Sequence, residues 1–313
     1  MTTTGYVWVE KYRPKFFDEI VLDPLNKKIL SNIIETSYFP NLLFYGPPGT
    51  GKTTTIINLI DAYQKKNGIK NKELIIHLNA SDERGIDTIR NQINFFVNSK
   101  PLFNDGMKFV ILDEVDYMTK NAQQALSYLL QNYTCNVSFC LICNYISKID
   151  EGLQNEFLCL RFNQLPDEDI ITFLNNISVS EKLNFSSETI SCIQKLYKSD
   201  IRSMINFIQS NQNIKTKSLI IINDSTWDEL LNKIFNKVKQ ENIINFINSI
   251  STDFNIDKKN IIKDFLNYII KKYPKYINSS FLDFVENLLH SENQIIYVNV
   301  NYLVSKLSSL LSK

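Results

Sequence analysis

The sequence predicts an α/β fold, an open parallel sheet in its first half followed by helices alone. Three observations carry this. The apolar run Leu42-Leu43-Phe44-Tyr45 enters a glycine- and proline-rich turn and then a helical stretch from Lys52. Apolar strand patterns go on alternating with helical ones as far as Phe162, as in a parallel sheet covered on both faces. After Asp167 the strand patterns stop and only helical periodicity remains.

The chain has 313 residues, which predicts roughly two or three domains. A 44% hydrophobic fraction is ample for packed cores. A net charge of +1 makes neither a membrane nor a nucleic acid an electrostatic favourite, so DNA contact would need a local patch. Five cysteines, odd in number and sparse, point to a reducing compartment. Cys140-x-x-Cys143 lies inside an apolar strand with no second pair at suitable spacing, and the only histidines are His77 and His290, so core packing is expected over zinc. The start, Met1 to Trp8, lacks a basic-then-apolar signal pattern. No uninterrupted apolar run reaches ~18 residues, so no membrane span is expected.

In chain order, Val9-Glu10-Lys11-Tyr12-Arg13-Pro14 offers two cations beside a rigid proline. An amphipathic stretch runs from Asp23 towards Ile34 and leads into the strand Leu42–Tyr45. Gly46-Pro47-Pro48-Gly49-Thr50-Gly51-Lys52-Thr53 fits G-x-x-x-x-G-K-[ST]. Such a loop turns successive backbone N–H groups inward around phosphate oxygens, and the helix that follows adds its free N–H groups and positive end. Lys52 supplies a cation for the β/γ-phosphates and Thr53 a hydroxyl for Mg²⁺. Nucleoside triphosphate binding is therefore expected.

The helix from Lys52 is predicted to run to about Gln64, with a second strand over Glu73–Leu78. Ile86, Ile89, Ile93 and Phe96 mark the next helix, and Arg84 and Arg90 near its start read as phosphate contacts or as a solvated face. Met107 to Leu112 is a buried strand with Asp113 and Glu114 at its carboxyl end, the edge where open parallel sheets bind ligands. There Asp113 can orient Mg²⁺ through water, and Glu114 can polarise a water for attack on the γ-phosphate. A helix over Lys120–Asn132 is predicted, with Thr119 as its cap. The strand Ser138–Cys143 ends in Asn144, which reads either as a turn residue or as a contact to the γ-phosphate or its water. Leu158–Phe162 is the last strand.

Helices are predicted over Asp169–Asn176, Glu188–Lys198 and Ile201–Gln209. Arg202 in the third is either a surface charge or a cation reaching over the nucleotide. Trp227, Leu230, Leu231, Ile234 and Val238 then share one helical face, and Ile261–Lys272, Phe281–Leu289 and Ile295–Leu311 suggest further helices without a catalytic constellation.

Taken together and in this order, Val9 to Pro14, Asn41 to Thr53, Asn79-Ala80-Ser81-Asp82-Glu83-Arg84-Gly85-Ile86-Asp87, Leu112-Asp113-Glu114, Gln123 to Leu126 and Phe139 to Tyr145 resemble a small subunit of replication factor C, the AAA+ clamp loader. The resemblance implies an AAA+ RecA-like parallel-sheet ATPase domain over 1–163, a helical lid over 164–223 and an all-α collar for oligomerisation over 224–313. It implies ATP and Mg²⁺ as cofactors. It implies a hetero-pentamer with other replication factor C subunits, which opens a ring-shaped sliding clamp and loads it on primer–template DNA, in the nucleus or, for a virus, in the host nucleus or cytoplasm. Lys11 and Arg13 would lie near the nucleotide, Asn144 would be the first sensor and Arg202 the second, and the helix after Gly85 would face clamp or DNA.

One departure stands out. The family usually carries Ser-Arg-Cys after the first sensor, its arginine acting as a finger in the neighbour's ATP site. Here the aligned segment is Leu153-Gln154-Asn155-Glu156-Phe157-Leu158, so Glu156 reverses the charge. The expected function is a clamp-loader ATPase subunit whose own finger is missing. The alternatives are a nucleotide-bound structural subunit of the same ring with little hydrolysis, or another AAA+ DNA-processing ATPase.

Overall fold

The computed structural model describes residues 7–69, 71–81, 86–99, 106–132, 136–183, 185–212, 224–236, 238–254, 257–290 and 306–307. The chain forms two compact units, residues 1–213 and 214–313.

The first unit begins with a short helix α1 (Trp8–Lys11), a 3₁₀ turn and the helix α2 (Pro24–Thr36). Asp23 caps α2 by accepting from the N–H groups of Leu25 and Asn26, and Pro24 presets the first turn. Five strands follow in alternation with helices: β1 (Leu42–Tyr45), α3 (Lys52–Lys66), β2 (Ile75–Asn79), α4 (Ile86–Asn98), β3 (Lys108–Asp113), α5 (Lys120–Asn132), β4 (Val137–Cys143), the short α6 (Glu151–Gln154) and β5 (Leu158–Arg161). All strand pairs are parallel and the order is β2-β3-β4-β1-β5. Parallel neighbours bring all the carboxyl ends to one edge, so the phosphate loop after β1 lies beside the ends of β3 and β4.

Each strand feeds two cores because side chains alternate across the sheet. Leu42, Phe44, Phe109, Ile111, Cys140 and Ile142 pack with residues of α2 and α3. Leu43, Val110, Leu112, Phe139, Leu141 and Cys143 pack with residues of α4, α5 and α6. Cys140 and Cys143 thus face opposite sides of the sheet. They cannot share one ion, and burial pushes the Cys143 thiol up to about 12.

Element boundaries moved by a few residues. The predicted start of the second strand, Glu73-Leu74, is a 3₁₀ turn, because Asn71 accepts the Glu73 N–H and caps a turn there. The helix expected to end near Gln64 reaches Lys66, where two lysines suit the negative end of a helix. Thr119 caps α5 through the Ala122 N–H at 3.3 Å. Three helices close the first unit: α7 (Asp167–Ser180), α8 (Ser187–Tyr197) and α9 (Ile201–Ser210). These fall within the stretch read as a lid.

The second unit contains α10 (Asp224–Phe235), α11 (Gln240–Phe254), α12 (Lys258–Lys272) and α13 (Ser279–His290), and the helix expected over 295–311 lies almost wholly outside the described residues. Trp227, Leu230, Leu231 and Ile234 form its core with Ile243, Ile247, Phe265, Ile269 and Phe281. Asp228 ties α10 to the end of α12. It accepts hydrogen bonds from the hydroxyls of Tyr268 and Tyr273 and from the Lys272 ammonium. The Tyr268 bond first, then Lys272, holds the Asp228 carboxyl below its ordinary value.

A depressed carboxylate stabilises the folded chain above its unfolded pKa, and that contribution is lost as pH falls through the folded value. Asp228→Asn should therefore lower the thermal unfolding temperature near neutrality and narrow its deficit against the wild type as pH falls below about 4. Melts followed by circular dichroism across this range check it; a deficit that stays constant with pH contradicts it.

Candidate nucleotide site

The phosphate loop starts at Gly46, where the chain passes so close to the end of the sheet that an added Cβ would meet the Phe162 carbonyl oxygen at 1.8 Å. Only glycine fits there, and its φ of +143° is one that other residues rarely adopt. The loop then wraps around the Lys52 ammonium. That group is buried, and it donates to the carbonyls of Gly46 and Pro47, each at 2.8 Å, and to Asn144 Oδ1 at 3.1 Å. Burial pushes the Lys52 pKa down, Asp113, Cys143 and Asp116 pull it back up, and Arg202 adds to the lowering. The Thr50 hydroxyl closes the loop on the Pro47 carbonyl at 3.0 Å.

Thr53, one residue into α3, donates its hydroxyl to Asp113 Oδ2 at 2.8 Å. The other Asp113 oxygen accepts the Glu114 N–H at 2.8 Å. Glu114 itself is left-handed, with φ +57°, a conformation that costs on the order of 1 kcal/mol outside glycine and clusters at functional sites. A hydroxyl and a carboxylate side by side make a hard oxygen pair of the kind Mg²⁺ prefers. Around Gly51 no atom of the described residues lies within 4 Å of an added Cβ, so the cradle has room. Asp116, just beyond Glu114, is buried, and among the described residues neither carboxylate oxygen has a hydrogen-bond partner; groups of this kind take a water or an ion as partner. The residues present fit a nucleotide with its metal. His77 Nε2 stands 3.9 Å from Asp113 Oδ2, on the neighbouring strand.

Beside the loop is a cavity with three walls. Val9, Tyr12, Arg13, Pro14 and Ile20 form one, Gly49, Gly51 and Thr54 the second, and Phe173, Ile201, Arg202 and Ile205 the third. The first wall is fastened to α3, where Asn58 donates to the Pro14 carbonyl at 2.9 Å. It is also clasped to the end of α7 and to α9. Trp8 N–H donates to Gln209 Oε1 at 2.9 Å, and both the Lys11 ammonium and the Tyr12 hydroxyl donate to Glu181 Oε1. The hydrogen bond to Glu181 raises the Lys11 pKa; burial first, and then the same carboxylate, raises that of Tyr12. Burial works to raise Glu181 as well, but the two donors outweigh it and hold the acid below its ordinary value.

Lys52, Thr53, Asp113, Glu114 and Asn144 therefore gather at one sheet edge. Gly46, Pro47, Pro48, Gly49, Thr50 and Gly51 form the loop between β1 and α3. Arg13 and Arg202 line the cavity, and the Arg13 guanidinium donates to Glu10 at 2.6 Å. Lys11 turns to the end of α7 through Glu181. Glu156 is exposed just after α6, and Arg161 is exposed on β5. Arg84 and the side chain of Arg90 lie outside the described residues. Sequence reasoning missed Glu181 and the apolar wall residues Ile20, Phe173 and Ile205, because no local pattern links them to a loop more than a hundred residues away from some of them.

Residues 42–164 match the family described as ATPase family associated with various cellular activities (AAA). Replication factor C subunit 3 of Saccharomyces cerevisiae is 40% identical over 203 residues, covering 65% of this chain and 59% of that protein. The replication factor C small subunit of Sulfolobus acidocaldarius is 42% identical over 205 residues, covering 65% and 62%. Replication factor C subunit 5 of Homo sapiens is 40% identical over 206 residues, covering 65% and 59%. The chain thus spans about three-fifths of the length of the curated relatives it matches. Among solved structures, the Thermotoga maritima RuvB Holliday junction branch migration motor superposes with a TM-score of 0.51 at 13% identity over 83% of this chain and 91% of that one, a likeness of fold alone.

Cutting the clasp should loosen α1. Glu181→Ala is expected to speed tryptic cleavage after Lys11 relative to wild type, with cleavage in the second unit unchanged. Equal rates at Lys11 would show that the clasp does not hold the segment.

Proposed function

We propose that this chain, whose residues 42–164 match the AAA ATPase family and which is about 40% identical to replication factor C subunits over 65% of its length, is a small subunit of a clamp loader. It would use ATP binding and hydrolysis to open a ring-shaped sliding clamp and load it onto primer–template DNA during replication. The observation that carries this reading is the convergence of Lys52, Thr53, Asp113, Glu114 and Asn144 at the carboxyl edge of the sheet.

Each residue takes a role from its position. Backbone N–H groups of Gly49 to Thr53 cradle phosphate oxygens, and Lys52 moves from the loop carbonyls to the β/γ-phosphates. Thr53 and Asp113, the latter through water, would hold Mg²⁺, which supplies positive charge against the phosphate oxygens. Glu114 orients and deprotonates the attacking water. Asn144, now on Lys52, is set to touch the γ-phosphate or that water. The cavity of Val9, Pro14, Ile20, Phe173 and Ile205 suits the adenine ring, and Arg202 completes the site from the lid.

The remaining partners are other replication factor C subunits in a hetero-pentamer, with the second, helical unit as the collar. On α4, Phe95 is 80% exposed, an apolar contact suited to the clamp. Among the described residues no helix is long and apolar enough to cross a membrane. The reading implies the nucleus in a cellular eukaryote, or the host nucleus or cytoplasm for a virus.

Glu156 limits what the subunit gives back. An exposed carboxylate facing a neighbour's γ-phosphate would repel it. The subunit is therefore read as hydrolysing ATP with a finger from another chain while offering none.

Two measurements in the reconstituted complex follow. Glu114→Gln should keep ATP binding and lower the turnover of this site by roughly 10²- to 10⁴-fold; unchanged turnover would favour the nucleotide-bound structural subunit instead. Glu156→Arg should raise the turnover of the adjoining site, and a wild-type subunit that already stimulates its neighbour would contradict the missing finger.

A further inference from the structure

Besides the clasp on the α1 segment, the helices α7 to α9 have a hold on the phosphate loop, at a residue that the reading above leaves without a role. Asp200 precedes α9, two residues before Arg202. Its carboxylate accepts the Ser203 N–H at 3.0 Å and the Ser203 hydroxyl at 2.7 Å, so it caps the helix. The same carboxylate presses on the loop: a Cβ added at Gly49 would fall 1.8 Å from Asp200 Oδ1. A backbone bond runs alongside, with Ile201 N–H donating to the Gly49 carbonyl at 3.2 Å. Gly49 is thus confined twice, by a φ of +76° and by a neighbour that fills the space of a side chain.

The turn leading into Asp200 is held just as firmly. Lys198 has φ +57° and ψ −103°, which residues other than glycine avoid. Its N–H donates to the Gln194 carbonyl at 2.7 Å, and the Ser199 hydroxyl accepts the Leu165 N–H at 3.1 Å. Contacts from α8 and from the start of the lid therefore fix the turn that delivers Asp200 to the loop.

Asp200 is negative and would repel a phosphate, so a ligand does not explain its place on a phosphate loop. Its helix does: both carboxylate oxygens bond to Ser203 in the first turn of α9, which also carries Arg202. We propose that Asp200 is a positioning residue. By capping α9 and seating it on Gly49, it sets where Arg202 stands over the phosphate loop, and with it the preference for a nucleoside triphosphate over a diphosphate. The proposal rests on the nucleotide-site reading above. Arg202 lines the same cavity as Gly49 and Gly51 of the loop.

The test is equilibrium binding of fluorescent ATP and ADP analogues, with Mg²⁺, to the full chain. Asp200→Ala should narrow the ATP-to-ADP affinity ratio by about five-fold, the scale of a lost helix cap. Asp200→Asn keeps an acceptor for the Ser203 N–H and should restore most of the ratio. Combined with Arg202→Ala, Asp200→Ala should add no further narrowing, since both act through one group. A merely structural residue would weaken both nucleotides alike and add to Arg202→Ala; that result, or an unchanged ratio, overturns the proposal. Circular dichroism checks folding. If Asp200→Ala does not fold, Ser203→Ala removes only the hydroxyl bond and should narrow the ratio to a smaller degree, while no change there overturns the proposal. A wild-type chain that binds neither analogue overturns the nucleotide reading and this inference together, an outcome distinct from binding with an unaltered ratio.

Discussion

One buried ammonium organises the edge of this sheet. An ammonium taken out of water must find oxygen partners or lose its proton. Lys52 finds three, at Gly46, Pro47 and Asn144. Two are carbonyls of its own loop, so the loop has to curl back over the first turn of α3. The third belongs to the end of β4, ninety-two residues further on in the chain. The demand for oxygen therefore draws two separate strand ends around one cation. A phosphate chain offers such a cation better acceptors than two carbonyls, so the arrangement that satisfies Lys52 without ligand also leaves it ready to exchange partners.

How much of this was legible in the sequence depends on range. The loop was, because its chemistry is contiguous: glycines, Lys52 and Thr53 lie within eight positions. The strands were, because a sheet covered on both faces needs unbroken apolar runs, and Phe109 to Leu112 and Phe139 to Cys143 supply them. Asp113, Glu114 and Asn144 were legible once strand ends were assigned, since parallel strands must deliver their carboxyl ends to one edge. Glu181 was not. It is an ordinary acid at the end of a helix, and only the docking of α1 on α7 and α9 brings it to Lys11 and Tyr12. Asp200 was not either: its carboxylate caps α9, and that it also rests on Gly49 is a tertiary fact without a local signature.

The two holds on the lid differ in kind, and the difference bears on how it can respond. At the α1 side the hold is electrostatic and partly exposed: Lys11 is 46% exposed where it meets Glu181. Such pairs are weak and screened by salt. At the loop side the hold is steric and backbone-based, through Gly49, Asp200 and Ile201. Close packing has few intermediate arrangements, so this contact is either seated or lost. Were α7 to α9 to move, the exposed clasp at α1 would give way before the packed contact at Gly49. The apolar cavity between α1 and α9 would change width, whereas the register of Arg202 on the loop would be kept. Under the proposed function, that division of labour would let a nucleotide enter at the side while its phosphates are read at a fixed place.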